Sequence, residues 1–189
     1  MRLIQKTRCL VVILLSFFWL NLAYAQAPAG QVIVVTGSFQ AQQADQKLRP
    51  LARGSYFYSG DTLITGKEST AQVRFTDGTV TALYPNSELR INDYVYQSQD
   101  KQQNRSVTTL VKGGFRALTG LISKENPEAY QARTPVAVIG VRGTNFGAVL
   151  DKGKLYAGVW KGGIYVKNEK GLIKLGQGDD YQFATVTSA

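Results

Sequence analysis

The sequence has no histidine, and its one cysteine, Cys9, lies in an apolar stretch near the start. These two residue types supply most general bases, nucleophile pairs and zinc ligands in proteins. The pattern Asp-x-Asp-x-Asp-Gly of calcium loops is also absent. We therefore predict a protein that is not an enzyme and that needs no metal and no cofactor. Glycoside hydrolysis by two carboxylates is the one catalytic chemistry that the residue types leave open.

The first 25 residues have the composition of an export signal. Three basic residues lie within the first eight positions, and an almost wholly apolar run from 9 to 22 follows them. Ala23-Tyr24-Ala25 is the small-x-small pattern that signal peptidase cleaves. We predict a Sec signal peptide over residues 1–25, cleaved between Ala25 and Gln26, and a periplasmic or secreted protein without a membrane span after cleavage. An uncleaved membrane anchor is the alternative, because the apolar run approaches spanning length.

Residues 26–189 are predicted to form one domain. These 164 residues are enough to bury a core, and they contain no cysteine, so the fold needs no disulfide. Three of the 22 basic residues lie in the signal, which leaves 19 against 13 acidic residues and a net charge of +6. The basic residues are scattered, which favours an ordinary solvated surface. The positive excess also allows an anionic polysaccharide as a partner.

The residue pattern after the signal predicts an all-β domain. β-branched residues from 31 to 36 indicate a first strand, and Ala71, Val73 and Phe75 alternate with polar residues, as in a strand with one buried face. Glycines separate many further short strands, and only residues 123–132 fit a helical turn. A sandwich and a β-roll or β-helix-like stack both agree with this pattern.

Several aspartates adjoin glycines, which is typical of turns. Gly60 precedes Asp61, and Asp77 precedes Gly78 where a tight hairpin is predicted. Carboxylates in such pairs bond local backbone amides, which explains them without an active site. The polar segment 92–105 is predicted to be an exposed loop or a hairpin arm, and we expect partner contacts there or at a sheet edge.

The most unusual stretch runs from Thr134 to Gly147. Pro135 is predicted to open a strand, because proline cannot donate a ladder hydrogen bond and the four residues after it are apolar. Gly140 and Gly143 predict either a bend of the backbone or a close approach to another strand, and a second strand begins beyond them.

Arg142 lies between these two glycines and has two interpretations. Its five donors would satisfy carbonyl groups exposed at the bend, or it would be a recognition residue on a rigid loop together with Gly143, Thr144 and Asn145. The spacing from Gly140 to Gly143 also matches the Gly-x-x-Gly loop of KH domains. The helices that this loop requires are absent from the pattern, so we predict no binding of nucleic acid.

Five aromatic residues lie in two short groups along the chain. They would form either a surface for sugar rings or ordinary strand packing with hydroxyl groups at its rim. They are Tyr56, Phe57, Tyr58, Tyr94 and Tyr96.

Four motifs, in order along the chain, resemble those of the FecR domain family. They are residues 60–66 (GDTLITG), 75–79 (FTDGT), 134–146 (TPVAVIGVRGTNF) and a closing pair at 162–168 (GGIYVKN) and 175–178 (LGQG). The resemblance extends from about Val32 to Phe183. It implies an all-β periplasmic module, which in its best-known setting is a sensor that relays iron–citrate occupancy of an outer-membrane transporter to a sigma factor.

Sensors of that kind carry a cytoplasmic anti-sigma segment and a membrane helix ahead of the domain, whereas we expect only the export signal to precede it here. We therefore expect a non-catalytic exported binding, sensory or scaffold module of the cell envelope. It would act through contacts with an outer-membrane or periplasmic protein. The alternative is a protein that binds envelope polysaccharide or acts on it.

Overall fold

Strands make up most of residues 26–187, which are the residues that the computed structural model describes. The predicted signal peptide, with Ala25 at its end, lies outside this range. The all-β prediction is confirmed. The strands are β1 (Gly30–Thr36), β2 (Phe39–Gln42), β3 (Leu48–Pro50), β4 (Tyr56–Phe57), β5 (Thr62–Thr65), β6 (Thr70–Phe75), β7 (Val80–Leu83), β8 (Glu88–Val95), β9 (Arg105–Leu118), β10 (Tyr130–Arg133), β11 (Val138–Asp151), β12 (Lys154–Asn168), β13 (Gly171–Gly176) and β14 (Phe183–Thr187).

All of these strands belong to one 14-stranded hydrogen-bonded sheet. Its main path is β13-β12-β11-β10-β9-β7-β6-β1-β4, while β14 pairs with β12 and a branch of β3, β2, β5 and β8 joins at β9. The branch arises because β9 changes partners along its length. Its first half pairs with β8 and β10, and its second half pairs with β7 and β11. The strands are therefore linked by hydrogen bonds into one continuous sheet.

Three strands are much longer than the sequence predicts, because glycines bend them without ending them. β9, β11 and β12 have 14, 14 and 15 residues. Each contains a glycine with a positive φ, +75° at Gly113, +59° at Gly143 and +78° at Gly162. The sequence pattern predicts breaks between separate strands at the glycines near 113, 143 and 162. Such glycines re-aim a strand at a bulge while the ladder continues beyond it.

The prediction that Pro135 opens a strand is wrong. Thr134 closes a turn instead, because its backbone N–H donates to the carbonyl of Ala137 at 2.9 Å and its Oγ1 accepts from the Ala137 N–H at 3.0 Å. Val136 and Ala137 are buried in this turn, and β11 begins only at Val138.

The hairpin predicted at Asp77-Gly78 is present between β6 and β7, and Gly60, Gly78 and Gly143 all have positive φ. Gly140 does not, so the turn predicted there is absent, and the alternative, a close approach to a neighbouring strand, is what the structure shows. Gly140 has no side chain because a Cβ there would overlap the ring of Tyr165 on β12.

Within residues 26–187, helical structure is confined to short elements. α1 (Leu121–Glu125) and a 3₁₀ turn at Pro127–Ala129 overlap the predicted segment 123–132, and a second 3₁₀ turn at Lys101–Gln103 was not predicted. None of the helices within 26–187 is long and apolar enough to cross a bilayer.

Candidate functional site

An exposed aromatic groove crosses the outer face of the sheet. Four aromatic side chains line it and remain between one third and two thirds exposed, namely Tyr84 (36%), Tyr156 (44%), Trp160 (50%) and Phe183 (62%). The groove has a volume of about 280 Å³. Aromatic groups of this size are normally buried, and a cluster of exposed ones marks an interaction surface.

Glycines form the floor of the aromatic groove. Gly147 of β11 lies directly opposite Gly158 of β12, which in turn lies opposite Phe183 of β14. A Cβ on Gly158 would lie 2.6 Å from the Phe183 ring, and a Cβ on Gly147 would lie 3.1 Å from the Trp160 ring. The rings therefore rest on bare backbone, which is a recognised role of glycine within strands.

One end of the aromatic groove is positively charged. The guanidinium of Arg116 lies 4.2 Å from the centre of the Trp160 ring, within the range of a cation–π contact. The Arg116 Nε also donates to Asn145 Oδ1 at 2.9 Å, and Lys161 lies cross-strand from Asn145. Among residues 26–187, neither Arg116 nor Lys161 has an acidic partner, and no acidic residue lines the groove.

The geometry of the rings suits apolar side chains better than sugar rings. Trp160 and Phe183 meet edge to face, with an interplanar angle of 87° and centroids 6.0 Å apart. Arg116 covers part of the Trp160 ring. The two rings therefore form a notch with two walls at right angles, not a flat platform for stacking.

The predicted site at Arg142–Asn145 is divided by the structure. Arg142 is exposed, and no hydrogen bond or ion pair of its guanidinium exists within the described part of the chain. The prediction that Arg142 satisfies carbonyl groups at the bend is therefore wrong. Arg142 lies at a bulge of the β11–β12 ladder, where the register shifts between Arg142 and Asn145. It lines a broad cleft of about 880 Å³ with Lys174, Glu128 and Asp179.

The other two polar members of the predicted site have different environments. Thr144 is buried and pairs with Thr119, whose Oγ1 accepts from the Thr144 N–H at 2.9 Å. Asn145 bonds Arg116 at the end of the aromatic groove. Only Asn145 of the predicted set therefore joins the groove.

The two predicted turn aspartates are both buried, which the sequence analysis did not foresee. Asp61 accepts from Arg49 Nη2 at 2.7 Å and from the Tyr58 N–H at 2.9 Å. Asp77 accepts from the N–H and the hydroxyl of Thr79 at 3.0 and 2.9 Å. Both carboxylates are held by structural bonds, as the turn prediction requires.

Asp77 also joins distant parts of the chain. Its carboxylate accepts from the Ile122 N–H at 3.4 Å and from the Tyr94 hydroxyl at 3.3 Å, and its own N–H donates to that hydroxyl at 2.9 Å. Burial raises the pKa of Tyr94, and the negative charge of Asp77 adds to the effect. Burial likewise raises the pKa of Tyr130, again with a contribution from Asp77.

Of the five aromatic residues named from the sequence, Phe57 and Tyr94 belong to the core and not to an exposed surface. Phe57 is fully buried and Tyr94 is only 8% exposed, and both pack against Phe75 in the core. The sequence analysis missed Trp160 and Phe183. The available signal was the alternation of glycine and aromatic residues in β12, where Tyr156, Gly158 and Trp160 share one face.

The polar segment 92–105 is a closed hairpin arm. Asn104 is buried and bonds Gln97 twice, accepting from its N–H at 2.6 Å and donating to its carbonyl at 3.1 Å. Lys101 at the tip pairs with Glu125 of α1 at 2.9 Å. Residues 26–187 contain no cluster of three acidic, histidine or cysteine side chains that would hold a metal ion.

The fold and its groove define an all-β domain with an exposed aromatic surface. The profile of the family described as FecR protein matches residues 61–165, which is more than half of the chain. The chain therefore belongs to the FecR family, as the resemblance of its motifs implied. The matched range includes β5 to β11 and most of β12.

Comparison with solved structures gives a weaker likeness. Two crystal structures of a protein from Parabacteroides distasonis ATCC 8503, provisionally described as an anti-sigma factor, each overlap this chain with a TM-score of 0.48 and 15% sequence identity. The overlap covers 67% of this chain and 59% of that protein, so this chain spans less than two thirds of its length. No curated protein sequence matches the chain significantly.

Proposed function

We propose that this FecR-family chain is a non-catalytic binding module of the cell envelope that recognises a protein partner through the aromatic groove. The observation that carries the proposal is the set of exposed rings on a glycine floor, with Arg116 and Lys161, which have no acidic partner among residues 26–187, at one end. Tryptophan, tyrosine and arginine are the residues enriched at the centres of protein–protein interfaces. The proposal includes export by the predicted signal peptide, which would bring the groove into contact with envelope proteins.

A protein partner fits the groove better than a polysaccharide. The notch between Trp160 and Phe183 accepts an aliphatic or aromatic side chain, whereas sugar binding favours a flat ring face. Arg116 and Lys161 would attract a carboxylate of the partner and would help to orient it.

Site-specific photo-cross-linking in cells tests the proposal. A photoreactive phenylalanine analogue in place of Tyr156 should capture a discrete protein adduct. The same analogue in place of Tyr56 is the matched control, because Tyr56 is 51% exposed and lies on β4 at the other end of the strand order. Trp160→Ala should weaken capture about 30-fold or more, as expected for a central interface residue. Equal adducts at both positions would refute the groove as the partner site.

The polysaccharide alternative predicts a different result. Under this alternative, the parent protein is retained on peptidoglycan or exopolysaccharide, and Trp160→Ala abolishes the retention. If no protein adduct forms at Tyr156 in the same experiments, the partner is a carbohydrate and not a protein. Export is tested separately by the intact mass of the periplasmic protein, which should correspond to a chain beginning at Gln26.

A further inference from the structure

β14 is an open edge of the sheet without the usual protection. Among residues 26–187, β3, β4, β13 and β14 each have a single strand partner and so form the edges. Natural proteins keep such edges from pairing with other chains by short length, by charged side chains or by proline. β4 has only two residues, β3 contains Arg49 and Pro50, and β13 contains Lys174. β14, with the sequence Phe-Ala-Thr-Val-Thr, has none of these features.

The absence of charge on β14 matters because the chain is positively charged. Residues 26–189 have a net charge of +6, so two copies repel one another wherever lysine or arginine side chains meet. Pairing of two copies through β3 or β13 would bring Arg49 or Lys174 close to its own counterpart. β14 contains no charged residue, so two copies can pair along its whole length without a lysine or arginine side chain in the contact.

The side chains of β14 suit pairing with a copy of itself. Phe183, Thr185 and Thr187 are exposed on the groove face, while Ala184 and Val186 pack against the core. Direct partners in an antiparallel pair lie on the same face. An antiparallel pair centred on Thr185 therefore matches all five residues and places Phe183 of each copy opposite Thr187 of the other.

We propose that β14 pairs antiparallel with β14 of a second copy, which forms a two-fold symmetric dimer around Thr185. Such an isologous contact closes on itself and gives a dimer, not a fibre. The dimer joins the two sheets edge to edge and places the two aromatic grooves side by side on one face. The dimer does not require an occupant of the groove, although Phe183 and Thr185 of β14 also line the groove.

Two charge substitutions at the symmetry axis test the dimer. Sedimentation over a concentration series should show a monomer–dimer equilibrium for the parent protein. Thr185→Lys and Thr185→Glu should each be monomeric, because each puts two like charges opposite one another. An equimolar mixture of the two variants should dimerise again. Thr185 is exposed, so the melting temperatures of both variants should stay close to that of the parent.

A cysteine variant gives a second readout, since residues 26–189 contain no native cysteine. Opposed Cα atoms in an antiparallel pair are about 4.5–5.5 Å apart, which is within the range of a disulfide. Thr185→Cys should therefore form a covalent dimer under mild oxidation. Val34→Cys on β1, where the native residue is 50% exposed, should not. A parent protein that is monomeric throughout the series, or a Thr185→Lys variant that dimerises like the parent, would overturn the proposal.

Discussion

Removing the carboxylate of Asp77 should strongly destabilise the fold, although the sequence pattern predicts only a hairpin turn at this residue. The carboxylate is only 2% exposed and accepts bonds from Thr79 in the same hairpin, from Ile122 of α1 and from Tyr94 of β8. A hydrogen bond to a charged group contributes about 1.5–3 kcal/mol, and a buried donor left without an acceptor costs about 1–3 kcal/mol. Because the Thr79 N–H and hydroxyl bonds are the shortest, Asp77→Ala should lower the free energy of unfolding by about 3–5 kcal/mol.

The test is sharper when the variants are ranked by how much free energy of unfolding each one loses. Asp77→Asn keeps one acceptor oxygen but presents an N–H₂ group to buried donors, so about 1.5–3 kcal/mol should be lost. Asp179→Ala is the matched control, because Asp179 is an exposed turn aspartate, and its effect should stay within about 0.5 kcal/mol. Urea unfolding followed by fluorescence measures all three variants. An Asp77→Ala protein within about 1 kcal/mol of the parent would refute the reasoning.

The hairpin at Asp77-Gly78 could be predicted from the sequence because its determinants are local. A glycine with φ of +86° follows an aspartate, and alternating strands flank the pair. The same kind of local signal predicts strand ends at Gly113, Gly143 and Gly162, and these predictions are wrong. There the choice between a turn and a bulge depends on whether a distant strand continues the ladder. That information lies in the pairing of β9, β11 and β12 and not in the residues around each glycine.

The candidate site could not be assembled from the sequence for a related reason. Tyr84, Gly147, Gly158 and Phe183 come from four separate parts of the chain, and only the strand order brings them together. Arg142 was chosen because two glycines flank it, but flanking residues do not determine which groups a side chain contacts. The structure leaves Arg142 unbonded within residues 26–187.

The remaining predictions concern metal dependence, the bulge and alkaline pH. Thermal melts with and without a chelator should coincide, and a drop of several degrees would reveal a bound ion. Arg142→Ala should have the same melting temperature as the parent. Gly143→Ala should lower the free energy of unfolding by about 1 kcal/mol, because the φ of Gly143 is +59° although the space around it is open. Equal losses of stability in the two variants would contradict this. The last prediction follows from Tyr94 and Tyr130, whose pKa values burial raises in the folded state. Above the unfolded pKa of about 10, the native protein holds more protons than the unfolded chain, so stability is full below this pH and falls as the pH rises. Each tyrosine should contribute a slope of up to about 1.4 kcal/mol per pH unit. Tyr130→Phe should therefore make urea unfolding between about pH 10 and 11.5 less steep in pH than in the parent. An unchanged slope would show that Tyr130 ionises in the folded protein as readily as in the unfolded chain.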